Sequence, residues 1–159
     1  MLTLVARFDV HLDEDDILND FGLQDHGPVQ MLIDQRVIDY CRDGGYVPAS
    51  PARTLEDSPQ IATEIGSGEV IWDTPYARLL YYDIVYGPNI PILDKDTGVL
   101  LGFFSPPGKK KHPTVKKFTY DKAQNPNAGA YWFERMKADH GGDIVGEAKN
   151  FVRRGGRST

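Results

Sequence analysis

Apolar and polar residues alternate over the first dozen positions, with Leu2, Leu4, Ala6, Phe8, Val10 and Leu12 set against Thr3, Val5, Arg7, Asp9, His11 and Asp13. A period of two sustained this long predicts a strand with one face in the core, and it leaves His11 on the solvent side. The run 13–22 places Asp13 to Asp16 at the positive end of a short helix, with Ile17, Leu18 and Phe21 on its apolar face and Gly22 as a stop. After Gly27-Pro28 the period changes to that of a longer helix: Val29, Leu32, Ile33, Val37, Tyr40 and Cys41 form one stripe. Asp34, Gln35, Asp39 and Arg42 form the other face, and Gly44-Gly45 ends the element.

Residues 46–59 hold three prolines and two serines around Leu55 and read as a loop crossing from helix to sheet. Ile61 to Ile65 and Glu69 to Asp73 flank Gly66-Ser67-Gly68, a pattern that predicts a β-hairpin. Asp73-Thr74-Pro75 then signals the start of a short helix over Pro75–Tyr82. The 66–82 stretch concentrates Trp72, Tyr76, Tyr81, Tyr82 and Arg78 in one short run. Rigid aromatics with polar tips favour a core edge or a protein contact, so the hairpin half is expected in the core and the Pro75–Tyr82 half at a surface. The final element, from about Ala130, has an apolar stripe through Trp132, Phe133, Met136, Ile144, Val145, Ala148, Phe151 and Val152, with His140 on or beside it. Gly141-Gly142 is a potential kink or split in this helix.

Between these elements, residues 83–130 carry six prolines and only short apolar clusters. Such a segment reads as an excursion from the core. Within it, Val99 to Phe104 and Thr114 to Tyr120 are candidates to pair as a long hairpin across Pro106-Pro107-Gly108. The expected architecture is one α+β domain over 1–159: a small, mainly antiparallel sheet flanked by N-terminal and C-terminal helices, with 83–130 protruding.

Composition narrows the functional classes. The 159-residue chain has a formal net charge of −5, which removes a global electrostatic case for nucleic-acid binding. The charge is unevenly distributed. Residues 1–40 hold nine acidic side chains against Arg7 and Arg36, a net −7, whereas residues 83–122 hold seven lysines against four aspartates, a net +3. The lone Cys41 excludes an intramolecular disulfide framework and reads as a buried small hydrophobe. No apolar run reaches the ~18 residues of a membrane span, and no secretory pattern opens the sequence, so synthesis and folding in a cytoplasm are expected. Phosphate-binding glycine loops, paired-histidine zinc motifs and nucleophile elbows are absent from the sequence. Neither catalytic nor metal-ligating nor cofactor-binding residues are assigned.

Three pieces together carry a family resemblance: Tyr46-Val47-Pro48; Gly68-Glu69-Val70-Ile71-Trp72-Asp73-Thr74-Pro75-Tyr76-Ala77-Arg78 with Tyr81-Tyr82 just after; and Trp132-Phe133-Glu134-Arg135-Met136-Lys137-Ala138-Asp139-His140. In their order and spacing the chain resembles the small minor capsid or tail-completion (head–tail joining) proteins of long-tailed phages. The resemblance implies an α+β structural protein without catalytic residues, located in the neck and tail region of the virion and made in the bacterial host cytoplasm. It implies a homo-oligomeric ring, expected to be a hexamer, that joins the DNA-filled head to the tail and contacts neighbouring neck, tail-terminator and tail-tube proteins. DNA would pass through the ring without sequence-specific binding, and no membrane is involved. The candidate interface residues are Tyr76, Arg78, Tyr81 and Tyr82, together with Lys109, Lys110, Lys111, Lys116 and Lys117 of the excursion. The excursion itself has no family role to inherit. Its lysines also admit another class, a nucleic-acid-binding or adaptor module using the 109–122 stretch.

Overall fold

A computed structural model describes residues 3–8, 26–93, 95–96, 98 and 100–155. The acidic helix expected at 13–22, His11 and the far half of the N-terminal strand lie outside the described residues, as do residues 156–159. The fold is α+β, with four helices and small two-stranded antiparallel sheets among the described residues. The chain divides into two compact units, one formed by Met1–Tyr82 with Tyr120–Thr159 and the other by Asp83–Thr119.

In the first unit, α1 (Pro28–Asp43) starts at Pro28 behind an extended Gly27 and buries Val29, Ile33, Val37, Ile38 and Cys41. Its end requires glycine. A Cβ on Gly44 would sit 2.5 Å from the Tyr40 carbonyl oxygen and 2.7 Å from the Tyr46 ring, so only a bare Cα lets Tyr46 fold back over the helix terminus. Tyr46 and Val47 then enter the core, their N–H groups donating to the Cys41 carbonyl at 3.1 and 3.3 Å.

Strand β1 (Leu4–Arg7) has the expected alternation, burying Leu4 and Ala6 and exposing Val5 and Arg7. Its partner is β2 (Glu69–Trp72), antiparallel, with Leu4 opposite Trp72 and Ala6 opposite Val70. The expected 61–65/69–73 hairpin is therefore corrected. Ile61 and Ala62 are the end of a helix, α2 (Thr54–Ala62), which also occupies much of the expected 46–59 loop. Ser50 braces the start of this helix, accepting the Leu55 N–H at 2.8 Å and donating to Glu56 at 2.5 Å. Ile61 is 89% exposed, so the apolar run that suggested a strand contains a solvent-facing residue. Side chains of α2 and its exit cap the free side of β2 instead, Thr63 Oγ1 accepting from the Ile71 N–H (2.9 Å) and Ser58 Oγ from the Asp73 N–H (2.7 Å).

The Gly66-Ser67-Gly68 turn does use left-handed backbone, with φ of 103° at Gly66 and 77° at Gly68. It is anchored by Asp34, which sequence periodicity assigned to the polar face of α1. The carboxylate is 1% exposed and accepts from the N–H groups of Gly66 (2.7 Å) and Gly68 (3.1 Å) and from Gln30 (2.7 Å). After a short α3 (Ala77–Tyr81), the body is completed by α4 (Trp132–Arg153). This helix runs unbroken through Gly141-Gly142, so it is not split there. Residues 120–130 belong to this body rather than to the excursion. Tyr120 donates to the Leu80 carbonyl (2.6 Å), Asn125 to that of Val47 (2.8 Å) and Asn127 to that of Gly44 (2.9 Å).

The second unit is built on nested antiparallel pairs. β3 (Tyr86–Gly87) pairs with β6 (His112–Pro113), and β4 (Ile90–Leu93) pairs with β5 (Leu100–Phe104), Ile90 opposite Phe104 and Ile92 opposite Gly102. This corrects the expected pairing of 99–104 with 114–120. A short local connection from β4 closes a smaller loop than one crossing the Pro106-Pro107 segment, and loop closure is the entropic cost of such pairing. At the base of the unit the Asp83 carboxylate accepts from the Phe118 N–H at 2.8 Å, joining its two ends.

Candidate assembly surfaces

The separate aromatic pieces of the sequence meet in one cluster. Trp132, the first residue of α4, receives Trp72 of β2 edge-on at 5.8 Å between centroids and Tyr81 of α3 at 4.7 Å, with interplanar angles of 67° and 89°. Edge-to-face contact sets the positive rim of one ring against the negative face of another. The Tyr81 hydroxyl donates to the Glu134 carboxylate. Burial, reinforced by that carboxylate, pushes the Tyr81 phenol far above its ordinary range. Tyr81 is 4% exposed and belongs to the core, so of the candidate interface residues it is the one without free contact area.

Its neighbours supply that area. Tyr82 and Tyr131 are 39% and 46% exposed, 5.8 Å apart and edge-to-face, and each also abuts the Tyr81 ring. Tyr131 was not singled out from the sequence. It adopts left-handed backbone (φ 50°, ψ 43°), a conformation costing about 1–2 kcal/mol for a residue with a Cβ. It is held there by its N–H donating to the Tyr81 carbonyl (2.9 Å) and its own carbonyl accepting from Arg135 (3.1 Å). Tyr76 is half-buried against the core, and Arg78 is exposed on α3.

A second polar cluster links α1 to α4. Tyr40 stacks on His140 at 4.7 Å and donates to Glu147 at 2.9 Å; Arg36 also donates to Glu147, and Tyr46 to Asp139. His140 is half-buried, with Nδ1 3.1 Å from Asp143. A surface cleft of about 410 Å³ opens here, lined by Arg36, Asp39, Tyr40, Asp43, Gly44, His140 and Glu147. Its carboxylates are engaged by Arg36 and by Arg42 beside it. Hydrogen bonding to Glu147 raises Arg36 and Tyr40, and hydrogen bonding from Arg42 lowers Asp43. Burial followed by the Asp139 contact pushes Tyr46 up to about 12. These contacts clasp two helices. Cys41 lies beneath them, and burial pushes its thiol up, which disfavours the reactive thiolate.

In the 83–119 unit the five candidate lysines divide into two groups. Lys111 donates to the Pro88 carbonyl and the Asn89 side chain, and Lys117 pairs with Asp83 at 3.6 Å, so both brace the unit itself. Lys109, Lys110 and Lys116 are exposed. Ile90, Ile92 and Phe104 are also exposed, at 52%, 46% and 50%. Their register places all three on one face of the β4–β5 ribbon.

Neither protein-family models, curated proteins nor solved structures gave a match to this chain.

Proposed function

We propose that this chain is a structural protein of the neck of a long-tailed phage, forming a ring, six copies in the simplest case, that helps connect the DNA-filled head to the tail. The observation that carries this reading is the convergence of the resemblance-bearing pieces. Trp72, Tyr81 and Trp132 come from three separate segments and pack in one cluster, whose outer edge is the exposed Tyr82–Tyr131 pair. Aromatic anchors on a rigid base bury large area with little loss of side-chain freedom, as oligomer contacts require. Copies then meet head to tail around a closed ring, neighbouring neck and tail proteins stack above and below, and DNA crosses the opening without sequence-specific contact.

The test is the composition of purified virions. Mass spectrometry and imaging of the neck should find the chain there in ring stoichiometry, and its absence from particles would refute the role. Tyr82→Ala with Tyr131→Ala should give a folded protein but unjoined heads and tails. The exposed Lys109, Lys110 and Lys116 favour a second reading, a nucleic-acid or adaptor module. Salt-sensitive DNA binding by the purified chain, lost when these three become serine, would support it instead.

A further inference from the structure

The β4–β5 ribbon has an apolar face that the chain leaves exposed. β4 and β5 pair with each other, and Ile90, Ile92 and Phe104 project from the same side, opposite no larger residue than Gly102 at the Ile92 rung. The body has several isolated exposed apolar residues, including Val5, Met31 and Ile61, but its exposed aromatics in mutual contact are Tyr82 and Tyr131. Charge separates the two units. Residues 83–119 hold six lysines against three aspartates, a net +3, which leaves −8 on the remainder of a chain of net charge −5.

Building on the ring reading above, we propose that the 83–119 unit is a docking arm. Its Ile90, Ile92 and Phe104 face seats on the Tyr82–Tyr131 pair of a second copy of this chain, with Lys109 and Lys110 adding positive charge to a contact with a body of opposite net charge. Charge decides the polarity of the contact. Two arms meeting ribbon to ribbon would bring together two units of net charge +3, whereas arm on body brings a net positive unit against one whose sequence is net negative. The favoured contact is therefore heterologous: each copy offers one arm and accepts one arm. Repetition of such a contact closes a ring when the rotation per copy divides a full turn. The ribbon supplies apolar area, and the lysines supply orientation and on-rate.

Sedimentation velocity on the full chain tests this. The native chain should assemble past the dimer as concentration rises, with association weakened about tenfold or more between low and moderate salt. Ile92→Asp with Phe104→Asp removes the arm face, and Tyr82→Ala with Tyr131→Ala removes the seat. All four side chains are exposed, so both variants should keep the native circular dichroism spectrum. Each alone should be monomeric. Mixed in equal amounts they should form a dimer that grows no further, because one retains an arm and the other a seat. No dimer in the mixture, or a native chain that stays monomeric at every concentration, overturns the proposal. A monomeric chain still found in virion necks overturns the arm contact and leaves the neck role standing. Head-to-tail oligomers of a chain absent from virions support the contact and remove the neck role.

Discussion

Asp34 holds Gly66 through a buried hydrogen bond of 2.7 Å, and the same carboxylate oxygen accepts the N–H of Gly68 at 3.1 Å. One buried side chain on α1 thus anchors the turn that leads into β2, the strand that carries Trp72. Replacing Asp34 by Ala leaves two backbone donors and Gln30 without their acceptor. The expected loss is about 2–3 kcal/mol of unfolding free energy, read from the urea midpoint. A variant as stable as the native chain would show that this carboxylate is not what anchors the turn.

Tyr81 and Tyr82 are adjacent in sequence and opposite in burial, so their alanine variants should separate core from surface. Tyr81→Ala is expected to cost about 3–5 kcal/mol, and Tyr82→Ala less than about 1 kcal/mol. A double-mutant cycle between Tyr81 and Trp132 should return a coupling of about 1 kcal/mol from the edge-to-face contact. Equal costs for the two tyrosines would contradict the burial described above.

Alkaline titration should reveal Tyr40, Tyr46 and Tyr81 as late. Tyr40, Tyr46 and Tyr81 all have raised folded-state pKa values, Tyr46 at about 12. Each phenol is protonated in folded and unfolded chains below the ordinary tyrosine pKa near 10. Above it the unfolded chain loses the proton first, so the folded state binds more protons and its stability falls as pH rises from about 10 through 12. The tyrosinate absorbance of these three should appear only above the ordinary range, coinciding with unfolding. A single transition near 10 with the fold intact would contradict the buried hydroxyl contacts.

The ends of the 83–119 unit meet at the Asp83–Phe118 hydrogen bond, which makes that unit removable. Replacing residues 84–117 with a short glycine linker should leave the body folded. Shortening the closed loop should leave its unfolding free energy unchanged or raised by up to about 2 kcal/mol. Both tryptophans, Trp72 and Trp132, lie in the body, so fluorescence follows the body alone. A truncated chain that is unfolded at room temperature would show that the body depends on the unit.

Local signals in the sequence were sufficient where a physical rule acts over a few residues. Gly27-Pro28 and Gly44-Gly45 bracket α1, the alternation at Leu4 and Ala6 marks β1, and the Trp132 to Val152 stripe marks α4. The failures share a cause in long-range pairing. β2 joins a strand more than sixty residues away, and no local pattern distinguishes that partner from the nearer Ile61 to Ile65 run. Asp34 was misplaced because a polar residue beside Ile33 fits the outer face of a helix. Its real signal was distant, in two left-handed glycines whose N–H groups need an acceptor. For the candidate assembly surface, tyrosine density pointed to the cluster, but only burial separates Tyr81 from Tyr82. Tyr131 went unnoticed because its role depends on a left-handed backbone position that sequence favours for glycine.

The neck at Asp83 and Phe118 has a consequence for how such a chain could vary. Because the unit leaves and re-enters at one point, changes in its length or surface need not propagate into the path of the body. A lineage could retain one body and refit only the arm to a different neighbour, much as a tool handle accepts interchangeable heads. In those terms the segment with the least regular sequence is the part free to specialise, and the body that holds Trp72 and Trp132 is the part that holds still.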